Sequence, residues 1–150
     1  MPVIDSPASP KPRRPIPIQD EQSEPFWRAA GSHVLTAARC ARCQNLCHPP
    51  DVVCPRCGTT DPGWEFIALT GKGTVRSWTV MRQSFMPGFE GDLPFVLVDV
   101  QLTEDPHLRM IGRLLDGPEA ELFIGATVTV AFEDVAPGVS VPAFNLGADE

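Results

Sequence analysis

The chain has 150 residues, 43% of them apolar, and carries 19 acidic against 12 basic side chains for a formal net charge of −7. That length allows one ordinary domain or two very small ones. No apolar run approaches the eighteen or so residues of a membrane helix, so no span is expected; no secretory leader is read, and a cytoplasmic location is expected.

Charge is unevenly placed. Residues 1–60 carry seven Lys/Arg against five Asp/Glu, whereas residues 61–150 carry five against fourteen. The C-terminal part is therefore strongly acidic, which bears on any partner it binds.

Residues 1–20 hold six prolines (Pro2, Pro7, Pro10, Pro12, Pro15, Pro17) and few large apolar side chains. Such a stretch cannot bury enough surface to offset its ordering entropy and reads as a flexible or polyproline-like arm. Lys11, Arg13 and Arg14 give it a basic touch that solvation explains. Glu21 to Gly31 reads as one short helix with Asp20 or Ser23 as cap, Phe26, Trp27 and Ala30 at helical spacing, and Gly31 as stop. Helix and following cysteine segment form a unit over residues 21–65.

That segment contains Cys40-Ala41-Arg42-Cys43 and, ten residues on, Cys54-Pro55-Arg56-Cys57-Gly58. A two-residue gap lets a tight turn aim both thiolates of a pair at one point. Two such knuckles facing each other supply the four soft ligands of a tetrahedral ion, so Cys40, Cys43, Cys54 and Cys57 are expected to hold a structural Zn²⁺. Two disulfides are the plainer alternative, disfavoured where cytosolic thiols stay reduced. Such a staple contributes about 10 kcal/mol of folding energy and does not by itself name a function. Cys47 reads as a small filler and His48 is poorly phased as a ligand.

Beyond Trp64 the pattern switches to period two. Strands are expected at Phe66–Leu69, Thr74–Arg82, Phe95–Leu102, Leu108–Leu115 and Ala126–Glu133, with Gly112 where a strand bends sharply. Five short strands closing on a small core suggest a Greek-key barrel of the OB type over residues 66–135. Residues 136–150 read as a Pro/Gly-punctuated tail lying on a surface through Val139, Val141, Phe144 and Leu146. The fold class expected is mainly β: an N-terminal helix and zinc ribbon followed by a five-stranded OB-fold barrel.

The order of parts carries a resemblance. A Phe-Trp helix precedes the four-cysteine ribbon with Pro49-Pro50 ahead of Cys54. Then follow Gly71-Lys72-Gly73-Thr74-Val75, Pro94-Phe95-Val96-Leu97-Val98-Asp99-Val100, Arg109-Met110-Ile111-Gly112-Arg113-Leu114, and Ile124-Gly125 before Val128-Thr129-Val130-Ala131-Phe132-Glu133. Over residues 21–135 this resembles the DUF35 family, a rubredoxin-like zinc ribbon fused to an OB-fold. Gln44 departs from the glycine, and Cys47-His48 from the bulky aromatics, that many members carry there. The resemblance implies a non-catalytic partner of a thiolase-superfamily enzyme acting on an acyl-CoA. The settings it implies are retro-aldol cleavage in steroid side-chain breakdown, with acyl transfer in small polyketide assembly as the alternative; archaeal mevalonate synthesis is a third setting of the family. Phe26, Trp27, Phe85, Met86, Phe89, Val141 and Phe144 are then expected to touch the partner or its substrate tunnel. The loop from Arg82 to Pro94 either docks on that partner or folds over the open end of its own barrel.

Two other functions fare worse. Nucleic-acid binding needs a positive groove with stacking aromatics; the barrel half is acidic, has no tyrosine, and its Arg76, Arg82, Arg109 and Arg113 are too few to reverse its charge. The same four could assist with CoA phosphates only if they cluster. Independent catalysis lacks a constellation: His33, His48 and His107 stand apart, and no orienting partner for Cys47 is evident.

Overall fold

The computed structural model describes residues 13–147, so the first twelve residues of the expected arm and the last three of the expected tail lie outside it. Its elements are α1 (Glu24–Gly31), β1 (Thr36–Arg39), β2 (Leu46–Cys47), β3 (Glu65–Ala68), β4 (Lys72–Met81), β5 (Phe95–Leu102), β6 (Arg109–Leu114), β7 (Thr127–Ala136) and β8 (Val139–Leu146), with one turn of 3-10 helix at Glu90–Asp92.

Helix α1 begins later than the periodicity suggests. The Asp20 carboxylate accepts both the Ser23 N–H and the Ser23 hydroxyl at 2.7 Å, closing residues 20–23 into a turn ahead of the helix. Pro25 then occupies the first helical turn, where its missing N–H costs nothing. Gly31 is the last helical residue, and the left-handed reversal falls on His33 (φ 60°). Gly31 has a different reason to be glycine: a Cβ there would lie 2.5 Å from the Gly138 carbonyl oxygen in the β7–β8 turn.

A three-stranded sheet ordered β2-β1-β3 carries the cysteine segment, and a closed barrel ordered β4-β5-β6-β8-β7 follows. This corrects two sequence expectations. The strand starting near Phe66 pairs with β1, Thr36 opposite Ala68 and Arg39 opposite Glu65, and belongs to the ribbon sheet. Its place in the barrel is taken by the supposed tail: β8 pairs antiparallel with β7 from Val139 to Leu146 and closes the barrel by parallel pairing of Arg113 with Ala143 and Leu114 with Phe144. Pro142, inside β8, and Pro137-Gly138, in the turn before it, hide this strand from a reading based on breakers.

The barrel interior follows the alternation seen in sequence. Val96, Val98, Val100 and Leu102 of β5, Leu114 of β6 and Val128 of β7 are almost fully buried. Phe26, Leu35 and Ala37 join the same cluster, so helix, ribbon and barrel share one core. Gly112 serves a packing role in it, because a Cβ would meet the Phe144 ring at 2.8 Å.

Candidate metal centre and docking cleft

Both cysteine pairs sit on matching turns. The Cys40 N–H donates to the Asn45 carbonyl, and the Cys40 carbonyl accepts from the Gln44 N–H; likewise the Cys54 N–H donates to the Thr59 carbonyl, and the Cys54 carbonyl accepts from the Gly58 N–H. The closing residue is left-handed in each, Gln44 at φ 65° and Gly58 at φ 72°. Gln44 therefore adopts the conformation glycine takes in the second knuckle, its side-chain amide donating to the Ala41 carbonyl at 3.3 Å.

The four sulfurs converge to within 4.8 Å of one another, the Cys40–Cys57 pair at 3.9 Å and the Cys43–Cys54 pair at 3.6 Å. Four thiolates around zinc at about 2.3 Å would stand about 3.8 Å apart, whereas a disulfide requires about 2.05 Å. The spacing fits a shared metal ion and not two cross-links. Electrostatics agree: the Cys57 and Arg56 N–H groups pull the Cys54 thiol down to about 6 against the cost of its burial. At Cys43 the Asn45 N–H is outweighed by desolvation and by the three neighbouring sulfurs, which push it up to about 11. Four sulfurs this close cannot all shed protons unaided, and a divalent cation removes that conflict. Cys47 stands outside the set, directed at the Pro49 carbonyl, and burial pushes its thiol up. Burial pushes the His48 imidazole down, which keeps it neutral.

Beside the knuckles, α1 meets the barrel at a cleft of about 260 Å³ with a mostly apolar lining. Phe26 is buried at its base, edge-on to Trp27 with ring centres 5.0 Å apart and tilted 4.7 Å from His48. Three of the seven expected contact residues, Phe26, Trp27 and Val141, thus come together here, with Pro50, Met110 and Ile111. Ile111 was missed in sequence although it had a signal: it lies opposite the Met110–Gly112–Leu114 alternation, and it is 68% exposed.

The other expected contacts lie elsewhere. Phe144 is wholly buried in the barrel core and cannot touch a partner, a correction that follows from β8 being a strand. The 82–94 loop is divided: Phe89 turns inward, 5.9 Å from Phe95, while Phe85 and Met86 face solvent.

Two of the four arginines are engaged by carboxylates of the chain itself. Arg109 is clasped by Asp99, and Arg113 lies 3.3 Å from Glu133 and 3.5 Å from Asp92. No hydrolytic triad forms around His33. Its Nε2 and the Ser140 hydroxyl both reach the same oxygen of Asp134, at 2.7 and 2.6 Å, so the carboxylate stands between them. The trio ties the helix exit to the β7–β8 hairpin. Asp134 is held below the usual carboxylate range by the Ser140 hydroxyl first and His33 second.

Comparison with known proteins fits this geometry. Residues 66–133 match the family described as ChsH2, C-terminal OB-fold domain. A "probable enoyl-CoA hydratase alpha subunit" of Thermomonospora curvata is 33% identical over 135 residues, 90% of this chain, although the chain spans only 40% of that relative's length. A "DUF35 domain-containing scaffold protein" of Methanocaldococcus jannaschii is 27% identical over 79% of the chain and 82% of its own length. Among solved structures, the "Ltp2-ChsH2(DUF35) aldolase" contains a chain 31% identical, superposing with a TM-score of 0.74 over 87% of this chain and 98% of that one. A DUF35 structure from Sulfolobus solfataricus shares the fold at 11% identity and a TM-score of 0.56. With a shared fold at 31% identity and this coverage, the chain belongs to the DUF35 family.

Proposed function

We propose that this chain is a non-catalytic, zinc-stapled subunit that binds and supports a thiolase-superfamily enzyme acting on an acyl-CoA, in retro-aldol carbon–carbon cleavage of a steroid side chain. The observation that carries it is the apolar cleft where α1, ribbon and barrel meet, on a chain that superposes on a component of an aldolase complex. Ile111 and Trp27 offer a solvent-facing apolar surface beside a metal-braced segment, the arrangement expected of an interface rather than of a self-sufficient active site. The Cys40, Cys43, Cys54 and Cys57 thiolates would hold the zinc, whose contribution is to lock the ribbon against α1. Chemistry falls to the partner, because among the described residues no nucleophile meets a base with a third group to orient it.

The test is co-expression with the thiolase-superfamily protein of the same organism, followed by size-exclusion chromatography and thioester cleavage assays. A stable hetero-oligomer that cleaves, while this chain alone does not, is expected. Turnover by the isolated chain, or no association, rejects the proposal.

A further inference from the structure

The N-terminal arm and the loop from Arg82 to Pro94 meet at Arg14. Its guanidinium pairs with Asp92 in the 3-10 turn and with Glu133 of β7 at 3.3 Å, and lies 4.8 Å from the centre of the Phe89 ring. Arg113 reaches the same two carboxylates from β6 and sits 5.3 Å from the centre of the Phe95 ring. Both arginine side chains are only 21% exposed. Two cations shared between two carboxylates, partly out of water, form a network that resists screening better than a lone surface pair. The backbones touch as well. A Cβ at Gly88 (φ +90°) would lie 2.5 Å from the Arg14 nitrogen and 2.8 Å from the Arg13 carbonyl carbon. Thus residues 13–14 lie directly on the loop, contrary to the expectation of a merely solvated basic patch.

The clamp leaves the loop's tip outside. Phe85 is 92% exposed and Met86 53%, and the tip is shaped by the Met86 N–H donating to the Ser84 hydroxyl. Arg13, whose carbonyl carbon lies against Gly88, and Arg82, at the start of the loop, are both exposed and without an ion-pair partner among the described residues. On a chain of net charge −7 these are two unpaired cations on the arm and loop that carry the apolar tip, while the loop's Glu90 is engaged by the Gly88 N–H at 3.0 Å.

We propose that Arg14 binds arm and loop into one docking knob, with Phe85 and Met86 as apolar tip and Arg13 and Arg82 as cationic flanks, which enters an apolar socket rimmed by carboxylates on the partner enzyme. The partner named here rests on the function proposed above; the knob itself does not. Charge complementarity selects that socket, since a basic or neutral rim would leave both arginines unanswered. The pin matters because an ordered loop meets its entropy cost before association instead of during it.

Two measurements test this in the full-length protein. In the isolated chain, Arg14→Gln is expected to speed amide exchange across residues 83–92 by about tenfold, in line with loss of a charge-assisted pair, while metal content stays unchanged. Exchange equal to wild type overturns the pin. With the thiolase-superfamily subunit of the same organism as probe, Phe85→Ser/Met86→Ser is expected to weaken binding at least tenfold, and Arg13→Glu/Arg82→Glu to slow association and flatten its salt dependence. Wild-type affinity in the first double variant overturns the docking role. If wild-type chain does not bind the probe at all, the proposed function fails and the socket with it, while the exchange result still decides the pin.

Discussion

Phe144 and Gly112 are complementary halves of one contact: the ring of the first, on β8, occupies the space that a side chain on the second, on β6, would fill. The contact lies where the two strands pair in parallel and close the barrel, with Leu114 opposite Phe144.

Phe144→Ala is therefore expected to cost about 3–5 kcal/mol, the range for emptying a buried phenylalanine site. Gly112→Val should cost a comparable amount through overpacking against a ring that has nowhere to go. Urea unfolding of the zinc-loaded protein measures both. Truncation after Ala136 removes β8 altogether and should give an unfolded barrel by circular dichroism. A truncated chain that still unfolds cooperatively with the wild-type midpoint contradicts the topology.

The first knuckle contains a built-in strain. Gln44 holds a left-handed conformation that costs a non-glycine residue on the order of 1 kcal/mol. Gln44→Gly should raise stability by up to about 1 kcal/mol, less the weak bond to Ala41. Thermal unfolding at saturating zinc reads the shift, and a lowered midpoint would show that the side-chain bond outweighs the strain.

Removing one ligand should act far more severely. Cys40→Ser or Cys57→Ser is expected to reduce bound metal from one equivalent to near zero by elemental analysis and to melt the ribbon, since structural zinc supplies its folding energy. A strong chelator should do the same to the wild type. Folded, metal-free protein with native exchange protection at β1 and β3 would refute the staple.

The Arg14 clamp has a pH signature. Hydrogen bonding from Arg14 holds the Asp92 carboxyl below its ordinary value of 3.8, aided by the Arg113 charge. A carboxylate depressed in the folded state contributes stability that is complete above its unfolded value and lost as pH falls below about 3.8 toward the folded value. Loop amides at 83–92 should therefore exchange faster on acidification through that window, after correction for intrinsic rates. In Arg14→Gln the step should be smaller, and an identical step in both proteins would separate Asp92 from the clamp.

At the cleft, Ile111→Ser is expected to leave unfolding within about 0.5 kcal/mol of wild type, because the side chain is mostly exposed. Association with the thiolase-superfamily partner should nonetheless weaken about tenfold, as for a central apolar contact. Unchanged affinity would move the interface away from the cleft.

Local chemistry made much of this protein readable along the chain. Cysteine spacing alone singled out four thiols that the fold then gathers within 4.8 Å of one another, because each knuckle is closed by hydrogen bonds inside six residues. The strict alternation of Val96, Val98, Val100 and Leu102 announced a β-strand, since a pleat sends every second side chain inward. Phe26 and Trp27 were legible as residues of one short helix, though not the cleft they build with Ile111 from eighty residues away. The strand β8 went unseen because Pro142 and Gly138 are local breakers, and only pairing with β7 and β6 outweighs that preference.

What spacing and alternation decided, then, is the paired cysteine knuckles, the helix and the β character of the rest: each depends on neighbours a few residues apart. Which strands close the barrel, where Phe144 hides and where Arg14 is pinned depended on long-range partners. Pairing energy between distant segments is no property of either segment alone, so only the assembled chain could settle those points.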